Sequence, residues 1–292
     1  MKYLLTIAEE LGPLMQLAVQ AAAQAGAIIR HGAQAINNVR AKGSPADLVT
    51  EIDISANAEI IRVLRDGGVK IHVLSEELSP DWSGDLGSEF WSVDPLDATT
   101  AFILRAGSHY PSVMLAYVQE KVAVAAVIHF PLSGEWFIGT LAAGVYRCSD
   151  ADETVRQVNL QSFGARILNQ AWVATNAYPV ARHRSWGFSV YEGELGEPGV
   201  TRLITNEVPH SGLAMRMFTS GLDVILHDNV SDRIKQAPWD VFPVQCLIEA
   251  AGGLVVNLDG KRYDPLKPEP FMVCRNQALL EEILRFRHLL EW

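Results

Sequence analysis

Residues 110–147 read YPSVMLAYVQEKVAVAAVIHFPLSGEWFIGTLAAGVYR, four short β-prone runs separated by Gln-Glu-Lys, Pro-Leu-Ser-Gly and Ala-Gly turn signals. Parallel neighbours need a crossover of a dozen or more residues, and these gaps are far too short for one. The pattern therefore predicts an antiparallel meander rather than βαβ units. Ahead of it, Leu14, Leu17, Ala18, Ala21, Ala25, Ile28 and Ile29 recur at helical spacing, which predicts one helix over about 7–31. A second apolar stripe runs over 54–64, after the loop signal Gly43-Ser44-Pro45. KIHVLSEE and EFWSVDPLD read as strands that end in carboxylates, and TTAFILRAG as a short helix closed by Gly107.

Beyond about residue 150, QAWVATN, TRLITN, GLDVILH and GGLVVNLDG are candidate strands, alternating with helical stretches near 180–192, 211–221 and 239–251. The polar CSDADETVRQVN marks the expected boundary, giving a half over 1–150 with the antiparallel sheet and a mixed α/β half over 151–292 that completes the site. The fold class expected is α+β, in layers.

Composition excludes more than it identifies. Of the 292 residues 49% are apolar and 20% charged, as in a globular protein, and the net charge of −10 disfavours a nucleic-acid polymer or an anionic membrane as partner. No stretch approaches the roughly 18 apolar residues of a membrane span. MKYLLTIAEELG begins like a signal peptide, but Glu9 and Glu10 interrupt the apolar run, so a cytoplasmic location is expected. Cys148, Cys246 and Cys274 are scattered without CxxC spacing and read as buried thiols of a reducing compartment. The eight histidines form no ligand-like pair, which disfavours zinc.

Acidic residues recur where strands end or helices begin: Glu76 and Glu77 after IHVLS, Asp94 and Asp97 after FWSV, Asp240 after Pro238, and Asp47 and Asp53 around DLVTEID. Singly, each reads as a turn former or helix cap. Together they match what Mg²⁺ needs, hard oxygen ligands from one or two carboxylates plus water and substrate phosphate. Two such ions, about 3.5–4 Å apart, orient an attacking water and stabilise the leaving oxygen of a phosphate ester. A strand-end DxxD sets two carboxylates and the Leu96 carbonyl around one point, and a helix starting at Thr99 offers N–H groups to a phosphate. No Walker GxxxxGK[ST], Gly-flanked nucleophilic Ser or HExxH competes with this reading.

KGSPADLVTEID, VLSEE, WSVDPLDATTAF and PWDVFPVQCLIEAAGGLVVNLDG, in this order over about 14–260, resemble the motifs of the inositol monophosphatase superfamily. That group comprises Mg²⁺-dependent, lithium-sensitive phosphomonoesterases. The resemblance implies a layered αβαβα sandwich, often dimeric, so that a homodimer is among the expectations, and two or three Mg²⁺ ions. It assigns Glu76, Asp94, the Leu96 carbonyl and Asp97 to a first metal, and Asp94, Asp97 and Asp240 to a second. A third, weaker metal would use Glu76 through water. Thr99, supported by Asp53, would polarise the attacking water, with Glu76 also in the catalytic set. Ala98, Thr99, Asp97, Asp240 and Arg233 would line the substrate, and Lys42 and Asp47 match a mobile loop.

The chain departs from the family at three points. The family turn reads Asp-Pro-(Ile/Leu)-Asp-Gly-Thr, and Ala98 stands at the glycine. If that backbone needs positive φ, Ala costs on the order of 1 kcal/mol and shifts the N–H facing phosphate; if it is helical, the methyl merely narrows the pocket. Ala101 stands where the family often has Asn. Arg233 occupies the place, seven before Asp240, where inositol monophosphatases carry an acidic residue on sugar hydroxyls; it reads either as a solvated loop arginine or as a bidentate grip on a carboxylate or second phosphate.

The function expected is Mg²⁺-dependent hydrolysis of a small phosphomonoester, an inositol- or sugar-phosphate-like metabolite. The alternatives are a histidinol-phosphate or 3′-phosphonucleotide phosphatase, towards which TTAFI and KQAPWD, or VLSEE, respectively lean. A further alternative is a catalytically weakened, phospholigand-binding member of the fold.

Overall fold

The structure, a computed structural model, describes residues 2–34, 39–41, 48–78, 84–105, 111–151, 153–163, 168–175, 202–205, 210–227 and 236–285. The chain opens with helices α1 (Lys2–Glu10) and α2 (Pro13–Gly32), a short pair β1 (Arg40–Ala41) and β2 (Leu48–Val49), and helix α3 (Glu51–Asp66). Strands β3 (His72–Ser75) and β4 (Glu89–Asp97) follow, then the short helix α4 (Thr99–Ile103). The meander comprises β5 (Ser112–Gln119), β6 (Val122–Phe130), β7 (Glu135–Thr140), β8 (Gly144–Ser149) and β9 (Val155–Val158). Next come β10 (Trp172–Thr175), β11 (Arg202–Thr205), α5 (His210–Thr219), β12 (Val224–His227) and α6 (Pro238–Ala250). The last elements are β13 (Leu254–Asn257), β14 (Phe271–Cys274) and α7 (Gln277–Arg285).

The helix expected over 7–31 is two helices. Gly12 sits at φ 102° and Pro13 takes the first position of α2, so the chain turns there without losing a hydrogen bond that proline cannot donate.

Contacts divide the chain into two units, Met1–Val158 with Ala237–Ala250, and Asn159–Gln236 with Ala251–Trp292. The sequence reading divides the chain near 150 and places α6 in the second half. Here β9, formed by the polar stretch read as a boundary, pairs with β8 and extends the first unit to Val158, and α6 packs in the first unit.

The first unit carries a seven-stranded sheet ordered β3-β4-β5-β6-β7-β8-β9, antiparallel throughout except that β3 runs parallel to β4. Alternation sorts its side chains. Trp91, Val93, Val113, Leu115, Val127, Trp136 and Ile138 join Ala18, Ala22, Ala25, Ile29, Ile60 and Leu64 of α2 and α3 in one core. The opposite face, with Phe90, packs on α6, where Phe90 meets Phe242 edge-to-face at 5.6 Å. Most of α6 is buried, which explains its nearly unbroken apolar sequence.

The second unit holds a five-stranded mixed sheet, β11-β10-β12-β14-β13. β10 lies parallel to β11 and β12, and β14 runs antiparallel to β12 and β13. Asp223, before β12, and Arg275, after β14, form an ion pair of 2.8 Å with both side chains 1% exposed. Asp223 also accepts the Trp172 N–H at 2.9 Å, and Arg275 donates to the Leu222 and Met217 carbonyls. One pair of charges thus joins the ends of β10, β12 and β14 and the turn after α5.

The α+β fold agrees with the sequence reading. The expected helix near 180–192 and the end of TTAFILRAG lie outside the described residues. Cys148, Cys246 and Cys274 are buried, and none of them is in a disulfide. No helix among the described residues is long and apolar enough to cross a membrane.

Candidate active site

Three devices bring the acidic residues together. The first is strand direction. Because β3 and β4 are parallel, with the last residue of β3, Ser75, opposite Val93, the residues that follow these two positions run the same way, and the Glu76 N–H donates to the Val93 carbonyl at 3.2 Å. Glu76, just after β3, and Asp94, just after Val93 in β4, therefore fall at the same end of the sheet, the usual place for ligands in a sheet with parallel strands.

The second is a β-bulge. Asp94 pairs with Met114 but Asp97 pairs with Ser112, so β4 carries one extra residue between them. Strict alternation would send residues 94 and 97 to opposite faces. The bulge returns Asp97 to the face of Asp94, and Pro95, which has no N–H to give a ladder, is tolerated inside it. Asp94 accepts the Leu96 N–H at 3.0 Å, closing the turn.

The third is helix capping. Thr50 caps α3, and Asp53 reaches back from the third helical position to accept the Thr50 N–H at 2.8 Å. Asp240 does the same at the start of α6, accepting the Ala237 N–H at 2.8 Å through Oδ2. Each cap engages one carboxylate oxygen and fixes the direction of the other.

The result is a cluster in which ligand oxygens of Asp94, Asp97 and Asp240 lie within 4.8 Å of one another. Glu76 lies outside that triad, yet its charge acts on both Asp94 and Asp240. Burial first, and then the negative charges of Glu76, Asp97 and Asp240, push Asp94 well above the usual carboxylate range. Burial, followed by Asp97 and Glu76, does the same to Asp240. Beside the cluster, Thr99 Oγ1 lies 2.8 Å from Asp53 Oδ1 and 3.0 Å from the Leu96 carbonyl. The buried Ser75 hydroxyl donates to Asn57 Oδ1 at 2.6 Å, tying α3 to the end of β3 beside Glu76.

These residues fit a divalent cation. The donors are hard oxygens, and like charges crowded in a buried site raise each other's proton affinity until a cation replaces the protons. The consequence for stability has a definite sign. Without metal, the folded chain holds protons on Asp94 and Asp240 that the unfolded chain has already released above the ordinary carboxylate range. Stability of the metal-free protein therefore falls as pH rises from that range towards the raised values. Thermal unfolding in EDTA should show this decline, and Mg²⁺ should raise the midpoint more at pH 7.5 than at pH 5.

Ala98 adopts φ 71°, ψ 38°, the left-handed region, immediately before α4, and its carbonyl accepts the Phe102 N–H at 2.9 Å. The helical alternative for this residue is thereby excluded. A left-handed alanine costs roughly 1–2 kcal/mol, offset partly by the greater freedom glycine has when unfolded. Ala98→Gly should therefore stabilise the protein by about 0.5–1 kcal/mol, read by chemical denaturation.

Of the residues singled out from sequence, Asp53, Glu76, Asp94, Leu96, Asp97, Ala98, Thr99 and Asp240 fall in this one region of the first unit. Lys42, Asp47 and Arg233 lie outside the described residues. Thr50, Asn57 and Ser75 lie beside these residues without being among the sequence-based candidates. Thr50 had a legible signal, the Thr-x-x-Asp spacing of a capping box.

Residues 10–289 match the sequence profile described as "Inositol monophosphatase family". The chain belongs to that family. Among curated relatives it is 34% identical over 251 residues to the protein named Nus factor SuhB of Escherichia coli strain K12, covering 85% of this chain and 86% of that one. It is 26% identical over 253 residues to inositol monophosphatase 2 of Solanum lycopersicum, covering 86% and 89%. The crystal structure of the extragenic suppressor protein suhB from Bartonella henselae superposes with TM-score 0.71 at 23% identity, over 94% of this chain and 97% of that one, and shares the fold. Membership of the inositol monophosphatase family supports phosphomonoesterase activity and metal binding.

Proposed function

We propose that this protein is a Mg²⁺-dependent hydrolase of a small phosphomonoester, inositol- or sugar-phosphate-like. The observation that carries the reading is the convergence of Asp94, Asp97 and Asp240 within 4.8 Å, next to a hydrogen-bonded Thr99–Asp53 pair.

In this reading Asp94, Asp97, Asp240, Glu76 and the Leu96 carbonyl would hold two or three Mg²⁺ ions. Bound Mg²⁺ supplies positive charge to the phosphate and lowers the pKa of water. The chain's own residues do the rest. Thr99 has one hydroxyl proton, and with Asp53 accepting it the Thr99 oxygen keeps lone pairs for the proton of a water. That water is held by Thr99 and made more nucleophilic as its O–H is drawn away. The N–H groups of Ala98 and Thr99 would serve as donors to the phosphate, with Asp97 and Asp240 bordering the substrate. No protein nucleophile is needed, so no covalent intermediate forms.

One observation favours a second reading. The left-handed Ala98, where the family has glycine, places strain in the segment assigned to phosphate, which suits a weakened, phospholigand-binding member of the fold.

Phosphate release from a panel of inositol, sugar, histidinol and nucleotide monoesters, with Mg²⁺ and with EDTA, separates the two. Mg²⁺-dependent turnover of one class supports the hydrolase and identifies the branch. Saturable phosphoester binding without turnover supports the binding protein.

A further inference from the structure

Thr50 does more than end a helix. Its Oγ1 lies 3.1 Å from the Ile52 nitrogen, 3.4 Å from the Asp53 nitrogen and 2.5 Å from Asp53 Oδ2. Both nitrogens are donors, so the single hydroxyl proton has only the carboxylate to go to. Asp53 Oδ2 therefore receives two donors from one residue, the Thr50 hydroxyl and the Thr50 N–H at 2.8 Å. Oδ1 is left to Thr99. Thr50 is 1% exposed and Asp53 0%, so water does not stand in for either donor.

The Thr99 proton has two acceptors in reach, Asp53 Oδ1 at 2.8 Å and the Leu96 carbonyl at 3.0 Å. A small rotation of the Asp53 carboxylate would reverse their order, and Thr99 would then donate to Leu96. We propose that Thr50 is a positioning residue for hydrolysis: by clamping Asp53 Oδ2 with both its N–H and its hydroxyl, it keeps Oδ1 as the acceptor of the Thr99 proton. The inference rests on the phosphatase reading. It makes Thr50, through Asp53, the outer end of a relay that runs from water to Thr99 to Asp53.

Thr50→Val removes the hydroxyl at nearly constant shape, and Thr50→Ser retains it. With the best-cleaved monoester of the panel and saturating Mg²⁺, Thr50→Val should lower kcat by about ten- to a hundredfold, the range for outer partners of a site group, with KM changed less than about twofold. Thr50→Ser should restore kcat to within about threefold of wild type, on the same scale. Because valine also weakens the cap of α3, the decisive comparison is made in an Asp53→Asn background. There Thr50→Val should cost no further kcat, because the group it positions is gone. An undiminished kcat in Thr50→Val, a loss that serine does not restore, or the same loss in both backgrounds overturns the proposal while leaving the phosphatase reading intact. Failure of wild type to hydrolyse any monoester removes that reading, and this inference with it.

Discussion

Asp97→Asn should lower Mg²⁺-dependent phosphate release by about a thousandfold or more while leaving the metal-free protein folded. Asp97 is brought to the face of Asp94 by the bulge in β4, and its charge acts on both Asp94 and Asp240. Replacing it with the isosteric amide removes a negative charge from the centre of the cluster. Charge stabilisation by a bound metal is worth several kcal/mol in a transition state, and each 1.36 kcal/mol is a factor of ten in rate. The same change relieves repulsion in the metal-free state, so the unfolding midpoint in EDTA should hold or rise. Loss of activity accompanied by loss of folding would mean that Asp97 is structural. Full Mg²⁺-dependent activity in Asp97→Asn would sink the metal assignment.

The second large effect lies far from chemistry in character. Asp223→Ala should destabilise the protein by about 3–5 kcal/mol, because it leaves the Arg275 guanidinium buried without its counter-charge. The loss extends beyond the 2.8 Å pair, since the Trp172 N–H also loses its acceptor. Against a typical stability of about 5–15 kcal/mol this is a large fraction, visible as a shift in the urea midpoint. Replacing both partners, as Asp223→Leu with Arg275→Met, should recover much of it, since breaking a buried pair costs more than removing it whole. A single-variant loss below about 1 kcal/mol would show that the pair is water-accessible and contributes as a surface bridge does.

Much of the site was legible in the sequence because its chemistry is carried by short-range patterns. The meander, strands ending in carboxylates and the acidic residue after Pro238 all follow from alternation, turn residues and helix starts. The cap reading of Asp53 and Asp240 holds, and it leaves room for a second role. Each aspartate caps with one oxygen, and that bond aims the other. The DxxD spacing also gains a geometric reason. A strand presents residues two apart on one face, and a three-residue separation puts both carboxylates on one face only through the one-residue bulge.

What remained illegible depends on long-range pairing or on backbone angles. β9 is a polar edge strand whose pairing with β8 no local composition announces, and β14 is four residues placed by its partners β12 and β13. The break at Gly12-Pro13 lies inside the stretch 7–31 that reads as one helix. For Ala98 the sequence offered two conformations, and only the backbone angle decided between them. The Asp223–Arg275 pair joins residues 52 apart, a separation at which sequence spacing carries no signal.

If Asp94, Asp97 and Asp240 together hold a divalent ion, calorimetric titration of Mg²⁺ into wild type and Asp240→Asn at pH 7.5 will separate the two proteins. Wild type should bind Mg²⁺ saturably, and binding should weaken by at least about tenfold in Asp240→Asn. Indistinguishable isotherms for the two proteins would contradict it.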